Sequence, residues 1–323
     1  MLQRPLGRSG LAVSRLALGT MTWGLDTDAD DAADQLTGYV AAGGNLVDTA
    51  DVFGDGMAES ILGSLLGTVV GRDEVLISTK AGLRPGGTRR RDNSRGHLLR
   101  TLDASLRRLG TDHVDLWQVH GYDPQTPLEE TLAALDHAVS SGRARYIGVA
   151  NFAAWQTARA ATWQAAVPGR APIVATQMEY SLLERGIERE LLPACAGLGL
   201  GVLPWSPLGG GVLTGKYRHG RPADSRAAGT HLEPFVSRYL DPRCSSIVQA
   251  VATAAGGLGV TPLEVALAWV RDRPGVTAPI LGARTAAQLA GALQVERIDL
   301  PAEIVRALDD VSGIEVGYPE RDG

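Results

Sequence analysis

Val114-Asp115-Leu116-Trp117-Gln118-Val119-His120, followed by Leu128-Glu129-Glu130-Thr131-Leu132-Ala133-Ala134-Leu135-Asp136-His137-Ala138-Val139, decides the fold. The first segment is a mostly apolar run without clean alternation. A strand buried on both faces requires this, as in a parallel sheet, whereas a half-solvated strand alternates. The second segment sets Leu128, Leu132, Leu135 and Val139 on one helical face, and Thr126-Pro127 before it reads as a cap and first turn. Together they form a strand–helix unit.

The unit recurs along the chain. Candidate strands are Leu16–Trp23, Asn45–Ala50, Val75–Ala81, Val114–His120, Tyr146–Ala150, Ile173–Met178, Gly201–Trp205 and Pro279–Gly282. Helical spacing lies between them, as in Leu98, Leu99, Leu102, Leu106 and Leu109. Eight such units predict an α/β fold, the (β/α)₈ TIM barrel. A doubly wound open sheet is the alternative, but no strand leads into GxGxxG. The 323 residues admit two domains, yet a barrel of ~250 residues with insertions fits equally well. With no linker at the midpoint, the expectation is one domain over residues 1–323. Arg4–Ser14 reads as a hairpin turning on Ser9-Gly10 and placed to plug the barrel bottom. Residues 208–242, after strand seven, form a long connection that reads as a lid over a ligand. A helix over Ala302–Asp309 lies beyond the eighth unit, and the tail from Ile314 reads as loosely held.

Bulk properties narrow the function. A net charge of −5 gives no support for nucleic-acid or anionic-membrane binding. Arg89-Arg90-Arg91 is a short basic cluster, either a solvated loop or a local anion contact. Cys195 and Cys244, without CxxC or partner histidines, argue against a disulfide framework or zinc site and for reduced buried thiols. The N-terminus lacks the apolar run of a signal peptide, and no stretch approaches a membrane span, so the chain reads as cytoplasmic.

Reactive groups of a (β/α)₈ barrel gather at the C-terminal ends of its strands. Polar residues fall there repeatedly: Asp48, Lys80, His120, Asn151, Gln177 and Trp205-Ser206. Singly, each has a plain structural reading, as a helix cap, a solvated strand terminus or a satisfied core histidine. Their occurrence on consecutive strand ends points to a site.

These residues resemble the aldo-keto reductases over nearly the whole chain, from Leu16 to Arg284. The motifs that carry the resemblance are Asp48 with Phe53-Gly54, Ser78-Thr79-Lys80, and Ile147-Gly148-Val149-Ala150-Asn151-Phe152. Trp205-Ser206-Pro207-Leu208 and Gly215-Lys216-Tyr217 are closest to the bacterial and potassium-channel-β-like branches.

The resemblance implies reduction of an aldehyde or ketone by hydride transfer from NADPH, with a proton delivered to the oxygen. At the position of Phe53 the family carries a tyrosine that donates this proton. Lys80 would lower that tyrosine's pKa, Asp48 would hold Lys80, and His120 would orient the carbonyl. For NADP(H), Asn151 and Gln177 would hold the carboxamide, although Ala150 stands where a serine is usual, and Trp205 would stack on the nicotinamide. Ser206, Leu208, Gly211 and Lys216 would wrap the pyrophosphate. Arg284 would meet the 2′-phosphate, favouring NADP(H) over NAD(H), and Gln288 would reach the adenosine. Gly291 and Ala292 replace acidic and amide residues common nearby. Thr20, Trp23, Asp48 and Gly282 complete the implied cofactor set.

The implied substrate pocket comprises Trp23, Phe53, His120, Tyr122 and Met178, suited to an apolar or aromatic carbonyl compound. No metal is implied, and a metal-dependent barrel hydrolase would need histidine partners for His120 at other strand ends. Oligomeric state stays open. Phe53 itself leaves three readings: an engineered Tyr→Phe variant of an otherwise ordinary reductase, a natural reductase whose proton comes from His120, Lys80 or water, or a nucleotide-binding regulatory protein with weak turnover.

Overall fold

The computed structural model describes residues 1–218, 220, 222, 233–315, 317 and 318. Much of the predicted lid between residues 208 and 242, and the end of the C-terminal tail, therefore lie outside the described residues. Ten strands are present among the described residues. β1 (Gln3–Pro5) and β2 (Ala12–Ser14) form an antiparallel pair. The others are β3 (Ala17–Gly19), β4 (Leu46–Asp48), β5 (Leu76–Ala81), β6 (Val114–Val119), β7 (Ala144–Ala150), β8 (Ile173–Glu179), β9 (Gly201–Trp205) and β10 (Ile280–Gly282). These eight run parallel in the order β10-β3-β4-β5-β6-β7-β8-β9. A bridge between Val202 and Val276, with the Thr277 N–H donating to the Val202 carbonyl at 2.8 Å, draws the edges together. The result is a nearly closed (β/α)₈ barrel.

The helices are α1 (Ala29–Ala41), α2 (Met57–Leu65), α3 (Arg95–Leu109), α4 (Leu128–Ser140), α5 (Ala154–Ala165), α6 (Leu191–Leu198), α7 (Glu233–Ser237), α8 (Pro242–Leu258), α9 (Pro262–Arg271), α10 (Ala286–Leu293) and α11 (Ala302–Ser312). The leucine rows read from sequence face inward. Leu98, Leu102 and Leu109 of α3 and Leu132 and Leu135 of α4 are buried, each contributing about 1.5–3 kcal/mol of apolar burial. Among the described residues, no single helix is long and apolar enough to cross a membrane.

Three local readings change. The first barrel strand stops at Gly19 rather than Trp23, because the chain turns: the N–H groups of Trp23 and Leu25 return to the carbonyls of Thr20 and Thr22. α4 has Pro127 at its N-cap with no side-chain cap, since the Thr126 hydroxyl is spent on Asp123 at 2.6 Å. The hairpin turn also spans more than Ser9-Gly10. Ser9 Oγ donates to the Leu6 carbonyl and accepts from the Leu11 N–H, while Gly7 bends with φ 59°. A Cβ on Gly7 would come within 2.5–2.7 Å of backbone atoms of Gly199, Gly201 and Val174, so only glycine lets the hairpin approach this closely. Leu6, Leu11 and Val13 then bury against Leu46, Leu116, Val174 and Leu203, closing the barrel end opposite the strand C-termini.

Two polar side chains inside β6 are held by hydrogen bonds, although Gln118 Oε1 and Trp117 Nε1 are buried without a partner among the described residues. Asp115 accepts from the Ile77 N–H and from Arg72, each at 2.8 Å, and Gln118 donates to Ser78 at 3.0 Å. An apolar strand tolerates them because buried polar groups cost little once hydrogen-bonded.

Candidate active site

β4, β5, β6 and β8 converge their C-terminal ends on one buried cluster. Lys80 Nζ lies 2.7 Å from Asp48 Oδ2 and 2.8 Å from the Thr49 carbonyl. Asp48 Oδ1 accepts from Ser78 Oγ at 3.0 Å and Gln177 Nε2 at 2.9 Å. Strand periodicity explains the assembly: Ser78 and Lys80 stand two apart, on one face of β5, and Gln118 is the cross-strand partner of Lys80. Both charged side chains are almost fully buried, at 1% exposure for Lys80 and 5% for Asp48. Burial on this scale demands a counter-charge and satisfied lone pairs, which Ser78 and Gln177 supply.

Phe53 stands above this pair. After β4 the chain keeps pairing, with the Thr49 N–H donating to the Ser78 carbonyl, then turns through Gly54, Asp55 and Gly56, all at positive φ. The turn leaves Phe53 half-buried, its ring centroid 5.0 Å from Lys80 Nζ. An ammonium has three N–H groups, and two are spent on Asp48 and Thr49, which leaves one for the Phe53 side. The His120 ring meets Phe53 edge-on at 6.1 Å between centroids. Burial first, then the charges of Lys80 and Arg91, push the His120 pKa down to about 3. The imidazole is therefore neutral at pH 7, and its buried Nδ1 has no hydrogen-bond partner among the described residues.

Of the cofactor positions implied by sequence, Asn151, Trp205, Thr20 and Gln177 are tied to this cluster by hydrogen bonds. Asn151, at φ 56°, donates to the His120 carbonyl at 2.9 Å and accepts from Trp205 Nε1 at 3.0 Å. One donor and one acceptor site remain on its amide. Thr20 Oγ1 donates to the Asp48 carbonyl at 3.2 Å. Ser206 accepts from the Gly210 N–H, and Gly209, Gly210 and Gly211 all adopt positive φ. A Cβ on Gly211 would lie 3.1 Å from Lys216 Nζ, so this glycine run and the ammonium share one cradle, next to Leu208. The N–H groups of Gly209 and Gly211 return to the carbonyls of Ser206 and Leu208, so the turn is closed internally, and Lys216 brings the charge that suits a pyrophosphate. After Gly282, Thr285 is the N-cap of α10, and its hydroxyl accepts from the Gln288 N–H. Gln288 Oε1 accepts from the Arg284 N–H, and Asp31 takes the Ala286 N–H.

The surroundings of several further residues are also defined. Trp23 is fully buried, with its indole donating to Gln35 of α1, and presents no surface to the mouth. Met178 neighbours Gln177 and so faces the other side of β8. It lines a separate cavity of about 400 Å³ with Phe152, Ile187 and Leu191. Tyr122 packs edge-on against Phe152 and Trp155, at 5.4 and 5.9 Å. Tyr180 is committed to Glu188 and Arg273, away from the Asp48 cluster. Cys195 and Cys244 are buried and not bonded to each other. Among the described residues, no group of three or more His, Cys, Asp or Glu is arranged to hold a metal.

The structure adds residues that the sequence reading did not single out. Phe235 of α7 packs against Trp205 at 5.9 Å and against Gly210. The wholly buried Glu59 accepts from Thr79 Oγ1 and from Arg108, and Asp51 keeps one buried carboxylate oxygen without a partner among the described residues. Desolvation first, then repulsion from Glu59, raise the Asp51 pKa to about 7. Spacing offered a signal for Glu59, a carboxylate on the inward side of an apolar helix, but none for its partner on α3.

The sequence matches known proteins. The model of the Aldo/keto reductase family matches residues 15–312. The chain is 38% identical over 318 residues to the uncharacterized oxidoreductase YrpG of Bacillus subtilis (strain 168), covering 95% of this chain and 94% of that one. It is also 34% identical over 325 residues to a probable voltage-gated potassium channel subunit beta of Oryza sativa subsp. japonica, covering 99% and 98% of the two chains. A protein of the same description from Arabidopsis thaliana is 35% identical over 328 residues. With the family model spanning the barrel and the relatives aligned almost end to end, the chain belongs to the aldo/keto reductase family.

Proposed function

We propose that this oxidoreductase reduces an aldehyde or ketone to the alcohol with NADPH, slowly, because Phe53 occupies the place of the acid. The observation that carries the reading is the buried Asp48–Lys80 pair, 2.7 Å apart, aimed at the Phe53 ring with His120 alongside. The cost of burying two charges makes sense where their field acts on a reacting group.

When bound, a reduced nicotinamide supplies the hydride. The residues around the glycine turn fit such a cofactor: Trp205 for the ring, Asn151 and Gln177 for the carboxamide, Lys216 for the pyrophosphate, and Arg284 for a 2′-phosphate. His120, neutral at pH 7, holds the carbonyl oxygen through an N–H rather than donating the proton. Without a phenol, that proton comes from the remaining N–H of Lys80 or from water. Phe53 and Tyr122 flank the substrate. We place the protein in the cytoplasm, as one domain with a small carbonyl compound as its partner.

The test is NADPH binding by fluorescence, with NADPH oxidation against 4-nitrobenzaldehyde. Slow, protein-dependent oxidation supports the reading. The second reading, an NADP(H)-binding regulatory protein, draws on Phe53 and on the channel-subunit relatives. It gains if NADPH binds yet a carbonyl panel stays inert, even after Phe53→Tyr.

A further inference from the structure

We propose that a cationic cleft beside the mouth binds the anionic end of a bifunctional substrate, a carboxylate or phosphate on the molecule that carries the carbonyl. This rests on the reductase reading and specifies its substrate class. The cleft, about 460 Å³, lies between residues 83–91, after β5, and residues 123–125, after β6. Its walls begin three residues beyond Lys80 and three beyond His120, so both spring from strands whose C-terminal ends carry site residues.

Four arginines line it: Arg84, Arg89, Arg90 and Arg91. Two are neutralised. Arg84 pairs with Asp92 at 3.4 Å and Arg89 with Asp123 at 2.7 Å. Those carboxylates are also committed elsewhere. Asp92 accepts from the Ser94 N–H and hydroxyl, and Asp123 from Thr126 and the Asn93 and Gln125 N–H groups. Arg90 and Arg91 have no carboxylate partner among the described residues. Arg90 is exposed, and Arg91 donates to the Tyr122 carbonyl at 3.1 Å. The cleft thus presents two uncompensated guanidinium groups, the fork geometry that suits carboxylate and phosphate.

Arg91 ties the cleft to the site. A Cβ on Gly121 would lie 2.9 Å from Arg91 Nε, so the glycine after His120 lets the guanidinium lie against the strand end. Arg91 is close enough to His120 to act on its charge. A substrate with its carbonyl at His120 and its body along Phe53 and Tyr122 would present its far end to Arg90 and Arg91.

The experiment compares kcat/KM for 4-carboxybenzaldehyde, 4-formylphenyl phosphate and neutral 4-formylbenzamide, in the native chain and with Phe53→Tyr. The charged-to-neutral ratio is then read in Arg90→Ala/Arg91→Ala and in Arg90→Glu. An exposed ion pair contributes up to about fivefold, so the double variant should lower the ratio about tenfold, and Arg90→Glu by at least as much. The better of the two charged aldehydes identifies the anion. Ratios near one in the native chain, or ratios unmoved by the variants, overturn the proposal. If no aldehyde is reduced even with Phe53→Tyr, the reductase reading fails by itself. Calorimetric titration with terephthalate then tests the cleft alone: salt-sensitive binding lost in the double variant supports it, and no binding overturns it.

Discussion

Replacing Asp48 with Asn removes a charge and leaves the rest of the cluster nearly isosteric. Lys80 would then be an ammonium at 1% exposure without a counter-charge. At an effective dielectric of about 20, two unit charges about 4 Å apart attract by roughly 4 kcal/mol, and this pair is closer. Breaking a buried pair by removing one partner costs about 3–5 kcal/mol, because the other charge stays desolvated and unpaired. Lys80→Met should cost a similar amount, leaving Asp48 with Ser78 and Gln177 alone. The double variant Asp48→Asn/Lys80→Met should cost much less than the sum, since an uncharged pair of similar volume carries no desolvation penalty. The assay is urea unfolding followed by tryptophan fluorescence, as a complete double-mutant cycle. A coupling of 2 kcal/mol or more agrees with the geometry. Additivity within about 0.5 kcal/mol would refute the claim that the pair is one electrostatic unit.

Three further outcomes follow from named contacts. Asp51 has its folded pKa raised to about 7, so its ionisation opposes folding progressively from about pH 4 upward and fully above 7; Asp51→Asn should raise stability at pH 8 by about 1–3 kcal/mol and much less at pH 4, read as a difference in urea midpoint. Arg108→Ala leaves the fully buried Glu59 without its cation and should cost about 3–5 kcal/mol, a loss that Glu59→Gln in the same chain partly reverses. His120 has its folded pKa depressed, so protonation favours the unfolded chain increasingly as pH falls from about 6.5 toward 3; acid unfolding monitored by circular dichroism should shift to lower pH in His120→Asn.

Much of this fold was legible because a parallel barrel strand is an unusual local pattern, a short apolar run with a polar residue at its exit. β6, β8 and β9 could be read nearly to the residue for that reason. Trp23 was misplaced because its strand is only three residues long, and the turn after Gly19 depends on hydrogen bonds that an apolar run does not reveal. Met178 was misplaced by one step of strand alternation: Gln177 takes the barrel side, so Met178 takes the other. The Asp48–Lys80–Gln177 network was foreseeable as strand-end residues, whereas Phe235 and the Glu59–Arg108 pair were not. Their partners lie far off in sequence, and no local spacing encodes contact between α7 and β9 or between α2 and α3.

The central claim is that a reductase site is assembled here and lacks one oxygen. The most direct measurement is single-turnover and steady-state NADPH oxidation by Phe53→Tyr beside the native chain, with 4-nitrobenzaldehyde and saturating NADPH. General acid catalysis is worth ~10²–10⁴-fold, so the account predicts a rise in kcat of about 100-fold or more with little change in NADPH affinity. A Phe53→Tyr protein that binds NADPH and turns over no faster than the native chain would contradict it.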